Sequence, residues 1–179
     1  MKARKLIVSV LPLLVGEMLA GCSTDKSPDL TDNIRKSLDQ AGFKDVSVSE
    51  DRDKGVVTLT GTVPTDSDKQ QAESIAKSTA PNLVVADQIA VRPPGNESEA
   101  KAVDSDLDKA IEKNVDATLI KHRLKKNVKY DVKNGVVTLT GDVPSQTKRE
   151  QVEKLVASIP NVKQVVNEIE VKGQKATSS

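Results

Sequence analysis

Aromatic side chains are almost missing from this sequence: Phe43 and Tyr130 are the only two, and there is no tryptophan. The stacking platforms on which single-stranded nucleic acids rest are therefore absent, and no nucleic-acid partner is expected. One cysteine, Cys22, excludes an intramolecular disulfide. One histidine and one cysteine are too few to ligate a transition metal. His122 sits among Lys121, Arg123, Lys125 and Lys126, cations that disfavour its protonation, with no carboxylate nearby to orient it as a catalytic base. The run Asp51-Arg52-Asp53-Lys54-Gly55 lacks the ligands of a calcium loop, and the glycines mark turns rather than a phosphate cradle. No enzyme activity, cofactor or metal is expected. Long apolar runs are also lacking: Leu6 to Leu19, interrupted by Glu17, is too short to span a bilayer.

What is present is a repeat. Gly55 to Pro64, GVVTLTGTVP, returns eighty residues later at Gly135 to Pro144 as GVVTLTGDVP. Val85, Ile89 and Val91 answer Val165, Ile169 and Val171 at the same offset. One module is used twice. Within the repeated stretch, Val57, Leu59 and Val63 alternate with Val56, Thr58, Thr60 and Thr62, which predicts a half-buried strand. The turn-like residues before Gly55, and Asn134-Gly135 in the second copy, predict a hairpin with a preceding strand, Val46 to Val48 and Val128 to Val132.

Helices complete the module. Leu30, Ile34, Leu38 and Ala41 share one face, with Asp29 or Thr31 as cap and Gly42 as stop. Ala72, Ile75, Ala76 and Thr79 line a second helix, with Ser67 and Gln70 at capping-box spacing before it and Pro81-Asn82 after it. In the second copy the faces are Leu107, Ile111, Val115, Leu119 and then Val152, Leu155, Val156, Ile159, with Thr147 and Glu150 as the box and Pro160-Asn161 as the break. A last strand spans Leu83 to Val91 and Lys163 to Val171. The expected fold class is α+β: two tandem αββαβ modules, each a three-stranded mixed sheet with two helices on one face. The covered face buries Val57, Leu59, Val85, Ile89 and their counterparts. The other face shows Val56, Thr58 and Thr60 to solvent or to a partner. The modules are placed at 29–92 and 103–172, joined by a Pro/Gly linker at 93–102 and followed by a frayed tail at 173–179.

The N-terminus carries Lys2, Arg4 and Lys5, then the short apolar run, then Leu19-Ala20-Gly21-Cys22. This is the plan of a secretory signal. Its end resembles the lipobox of bacterial lipoproteins, in which cleavage precedes a diacylated cysteine. That resemblance implies a signal peptide at 1–21, a lipidated Cys22, and a tether at 22–28 that holds the first module close to a bilayer. In enterobacterial lipoproteins Asp at the next position favours the inner membrane, so Ser23 implies an outer-membrane lipoprotein facing the periplasm. Without the signal, residues 23–92 hold 9 basic and 12 acidic side chains, and residues 103–172 hold 13 and 11. The second module is the basic one.

Gly-Val-Val-Thr-Leu-Thr-Gly, a capped helix, and then Val165-x-Asn167-x-Ile169-x-Val171 together resemble the BON domain (bacterial OsmY and nodulation). The resemblance covers both modules; Asp87 stands in the first where Asn167 stands in the second. Two copies behind a lipobox are similar to the dual-BON outer-membrane lipoproteins. What the family implies is a periplasmic, non-enzymatic module associated with phospholipid binding, envelope integrity and osmotic stress.

The candidate site is the basic run Lys121, Arg123, Lys125, Lys126 and Lys129 at the end of the second module's first helix, beside Ile120 and Leu124. It is expected to meet anionic phospholipid headgroups, at about 1 kcal/mol per cation, with the apolar pair at the membrane interface. Cations at a helix C-terminus are also favoured by the macrodipole, at about 0.3 to 1 kcal/mol each, with no partner at all. The competing reading is a protein adaptor that holds envelope proteins on its open sheet faces or on the acidic first module.

Overall fold

The computed structural model describes residues 30–173. The expected signal peptide, Cys22, the tether, Asp29 as a cap, and all of the tail but Gly173 lie outside the described residues.

Each module runs helix, strand, strand, helix, strand. In the first these are α1 (Leu30–Gln40), β1 (Val46–Asp51), β2 (Val56–Val63), α2 (Asp66–Thr79) and β3 (Val84–Val91). In the second they are α3 (Glu97–Lys121), β4 (Val128–Lys133), β5 (Val136–Val143), α4 (Gln146–Ala157) and β6 (Gln164–Val171). The central strand pairs antiparallel with its hairpin partner and parallel with the last strand, so both sheets are mixed. The period of two holds: Val57 and Leu59 face the helices with Ile34, Leu38, Ala72 and Ala76, while Val137 and Leu139 face Ile111, Val115, Val152 and Val156.

Gly61 and Gly141, repeated in the two copies, are fixed by contact rather than by the turn. A Cβ on either would lie 2.0 Å from a backbone carbonyl oxygen, that of Asp45 or Asn127, and both have positive φ, 123° and 116°. Only glycine fits there.

Three local expectations are corrected. The N-caps are Thr65 and Ser145, whose hydroxyls accept from the N–H of Asp68 and Lys148, not Ser67 or Thr147, which lie inside the helices. Pro64 and Pro144 end the strands, and the next hydroxyl takes the cap at once. Thr31 is likewise within α1, and Ala41 is exposed beyond its end. The helix α3 starts at Glu97, so residues 97–102 belong to it rather than to the linker. Pro93, Pro94 and Gly95 are the only breakers there, and Arg92 pairs with Asp104 to pin the helix to the end of β3.

The open faces of the two sheets cover each other. Val56 and Ala86 of the first module pack with Val136 and Val166 of the second, and all four are buried, with Val84 at the margin. The polar rim is reciprocal. Lys54 bonds Glu168 at 2.7 Å, and its equivalent Asn134 donates to the carbonyl of Gln88, the equivalent of Glu168, also at 2.7 Å. Position and partner exchange under the eighty-residue offset, as in an isologous dimer. Symmetry breaks at Gln164, which clamps the outer edge of β3 by accepting from Asp87 N–H and donating to Val85 C=O; Val84 occupies the matching position.

Candidate functional site

The end of α3 closes with a six-residue pattern that sets every side chain of the site. Arg123 N–H returns to Ile120 C=O and Leu124 N–H to Leu119 C=O at 2.8 Å, with Arg123 in the left-handed region at φ 58°. This is a Schellman closure, in which the residue after the left-handed one packs back on the helix. In the first module Gly42 and Phe43 close α1 in the same way, with Phe43 N–H returning to Leu38 C=O. The second module places Arg where the first has Gly.

That geometry sorts the expected residues. Leu124 is the returning residue, 5% exposed within the second core, so it is not available to a membrane interface. This corrects its placement beside Ile120. Ile120 is 59% exposed on the outer side of the helix. After it in the chain Lys121, Arg123 and Lys126 are exposed; Lys129 is exposed too, but it alternates on β4 with Val128, Tyr130 and Val132, which pack into the core, and so stands on the sheet face turned away from α3. None of the four forms an ion pair among the described residues. Lys125 is turned away from this set: it pairs with Asp116 and lies 4.8 Å from the centre of the Tyr130 ring. The bond to Asp116 holds the Lys125 ammonium above its ordinary range, and the bond from Lys125 holds Asp116 below its own. His122 caps the helix through its backbone and makes no side-chain hydrogen bond among the described residues. The site is thus three uncompensated cations, Lys121, Arg123 and Lys126, and one exposed isoleucine at the negative end of a helix.

Two buried polar pairs escaped the sequence reading. Under the edge of β3, Lys69 donates to Ile89 C=O at 2.7 Å and stands 3.7 Å from Asp87, whose carboxylate accepts from Ile89 N–H. Burial lowers the Lys69 ammonium and raises the Asp87 carboxyl. At the matching place Arg149 donates to Asn167 C=O at 2.6 Å, and the Asn167 side chain donates to Glu153 and accepts from Ile169 N–H. In both modules a long cation and an Asp or Asn satisfy the backbone at the outer edge of the last strand, which is a structural duty. A cleft of about 420 Å³ beside Lys69 is lined by both signs of charge, including Glu73, Lys77 and Lys163. Among the described residues no three His, Cys, Asp or Glu side chains gather as a metal site, and no helix is long and apolar enough to cross a membrane.

A BON domain model matches residues 26–93 and again 107–173. The chain is 28% identical over 146 residues to osmotically-inducible protein Y of Escherichia coli (strain K12), covering 80% of this chain and 71% of that protein. It is 30% identical over 145 residues to an uncharacterized protein in the gshII 5' region of Anaplasma centrale, covering 79% of this chain and 92% of the other. Among solved structures it is similar to the C-terminal domain of CdsD, the structural protein of the type III secretion system of Chlamydia trachomatis, at 17% identity and a TM-score of 0.34, over 80% of this chain and 98% of that one.

Proposed function

The chain belongs to the BON domain family, and from that membership and the end of α3 we propose that it is a non-enzymatic, lipid-anchored envelope protein whose second module docks on anionic phospholipid. The observation that carries this reading is the exposed Ile120 followed at the end of α3 by the exposed Lys121, Arg123 and Lys126, none of them neutralised by an ion pair among the described residues. At about 1 kcal/mol per cation these three supply about 3 kcal/mol near an anionic leaflet, a dissociation constant on the order of several millimolar. Such a contact is weak in free solution. It becomes effective when a tether already holds the protein at the bilayer, because the local concentration is then millimolar as well. Leu19-Ala20-Gly21-Cys22 supplies that tether, with Ser23 favouring the outer membrane and a periplasmic orientation. The name of the Escherichia coli relative, which speaks of osmotic induction, supports a role in osmotic stress.

The adaptor reading loses its main surface, since the sheet faces cover each other. It keeps only the acidic helices of the first module. Flotation decides between the two: the chain from Ser23 onward, mixed with millimolar phosphatidylglycerol-containing or purely phosphatidylcholine vesicles, over a salt series. Docking predicts binding to the anionic vesicles alone, falling as salt rises, and lost when Lys121, Arg123 and Lys126 become Gln. No binding, or binding that ignores salt and the three substitutions, overturns it.

A further inference from the structure

The outer face of α3 is unpartnered along its whole length. Of its 25 residues only Ile111, Val115 and Leu119 are buried, on the core side. On the opposite side Val103, Ala110 and Ala117 recur every seven residues and are all exposed. All three large apolar side chains that are exposed among the described residues, Val103, Leu107 and Ile120, lie on this helix. An apolar residue every seven with a small one at the middle lets a second helix approach closely, with the charged residues between them free to choose the partner.

Charge says which partner fits. Within α3, residues 97–108 hold five acids and one base and residues 109–121 three bases and two acids, with Arg123 and Lys126 just beyond its end. One helix thus carries a strongly acidic half and a weakly basic one that the cations at its end reinforce. Two such helices laid antiparallel oppose each acidic half to a basic one. We propose that this face pairs with the same face of a second copy, antiparallel, about a two-fold axis at Ala110.

The register follows from that axis. Ala110 meets itself, which allows close approach. Val103 lies over Ala117 and Glu99 over Lys121, each twice by symmetry. Asp106 falls beside Lys113. Glu99, Lys113 and Lys121 form no ion pair within the chain among the described residues, so their charges are free for the pairing. Ile120 comes to the level of Ala100 and is covered. A single helix pair is at the small end of interface size, so the dimer is a weak one that a shared membrane concentrates. It uses no lipid and does not depend on the docking reading, but Ile120 and Lys121 belong to both surfaces, so pairing and docking compete.

The test needs no vesicles. In the chain from Ser23 onward, which keeps every described residue, sedimentation at low salt gives twice the monomer mass at high concentration. Raising salt from about 0.05 M to about 0.5 M returns the monomer, because the Debye length shrinks well below the charge spacing along the helix. Glu99→Lys abolishes the dimer, and adding Lys121→Glu restores it. With Ala110→Cys, which sits on the axis, oxidation gives a disulfide-linked dimer quickly; Ala157→Cys, equally exposed on α4, does not. A monomer at every concentration, with Ala110→Cys linking no faster than Ala157→Cys, overturns the proposal. So does a dimer indifferent to Glu99→Lys.

Discussion

Replacing Val166 by Thr keeps the shape of the side chain and exchanges one methyl for a hydroxyl. On a sheet face open to water that change is almost free, since both residues favour strands. Val166 is fully buried, and its neighbours Val56, Ala86 and Val136 are all apolar and buried with it. A hydroxyl placed there finds no partner, at a cost of about 1 to 3 kcal/mol. The same holds for Val56→Thr, from the other module. With a urea slope of about 2 kcal/mol per molar, a loss of 2 kcal/mol lowers the midpoint by about 1 M. Far-UV circular dichroism follows both modules, and Tyr130, the only tyrosine, reports the second alone. Because the modules cover each other, the two signals fall together in the wild type. Val103→Thr, on an exposed position, is the control and stays within about 0.5 kcal/mol. If Val166→Thr and Val56→Thr are as neutral as Val103→Thr, the sheet faces are wet and the closed two-module body is wrong.

Lys69→Met leaves Asp87 buried without its cation and costs about 3 kcal/mol or more by urea denaturation; adding Asp87→Asn, the residue of the second module, recovers most of it. Gly61→Ala drives a Cβ into the Asp45 carbonyl and costs over about 3 kcal/mol, visible as a loss of folded protein at 37 °C, whereas Gly95→Ala, also at positive φ but with open space around it, costs only the backbone strain of about 1 to 2 kcal/mol. Arg123→Gly relieves a left-handed residue and raises stability by about 1 kcal/mol in thermal unfolding, while vesicle flotation of the same variant weakens. Lys54 is held above its ordinary value of 10.5 by its bond to Glu168, so its folded form binds the proton more tightly than the unfolded chain. That contribution is whole below about pH 10 and is lost as pH climbs through the folded value. The stability gap between wild type and Lys54→Met is therefore constant from neutral pH to about 10 and closes above it.

Much of this architecture is legible in the sequence because it rests on short-range periodicity. The repeated strand, the two helix faces and the mixed three-stranded sheet follow from where Val, Leu and Ile recur. The inter-module closure rests on side chains eighty residues apart and is not local. Its sequence signal is the run of adjacent apolar residues, Val56-Val57 and Val136-Val137 on the central strands and Val84-Val85-Ala86 and Val165-Val166 on the last ones, since consecutive apolar residues on a strand bury both faces. Thr58 and Thr60 masked that signal by supplying polar residues on the same face. At the candidate site, the cations and Ile120 were readable, but Leu124 was not. The closure that buries it needs a left-handed residue, and Arg123 carries no mark of one, whereas Gly42 does. The caps were missed by two residues because Ser67 and Thr147 offer the right chemistry just after the prolines that had already set the helix start.

Central to the account is that the end of α3, and no other part of the two folded modules, enters the headgroup region of an anionic bilayer. A spin label on Ile120→Cys, with Cys22→Ser to leave one thiol, measures this directly on phosphatidylglycerol vesicles. Docking predicts that the label becomes shielded from aqueous nickel and more exposed to membrane-dissolved oxygen, while a label on Lys77→Cys in the first module stays in water. A label at position 120 that remains in water while the chain is bound, or shielding at position 77 instead, contradicts it.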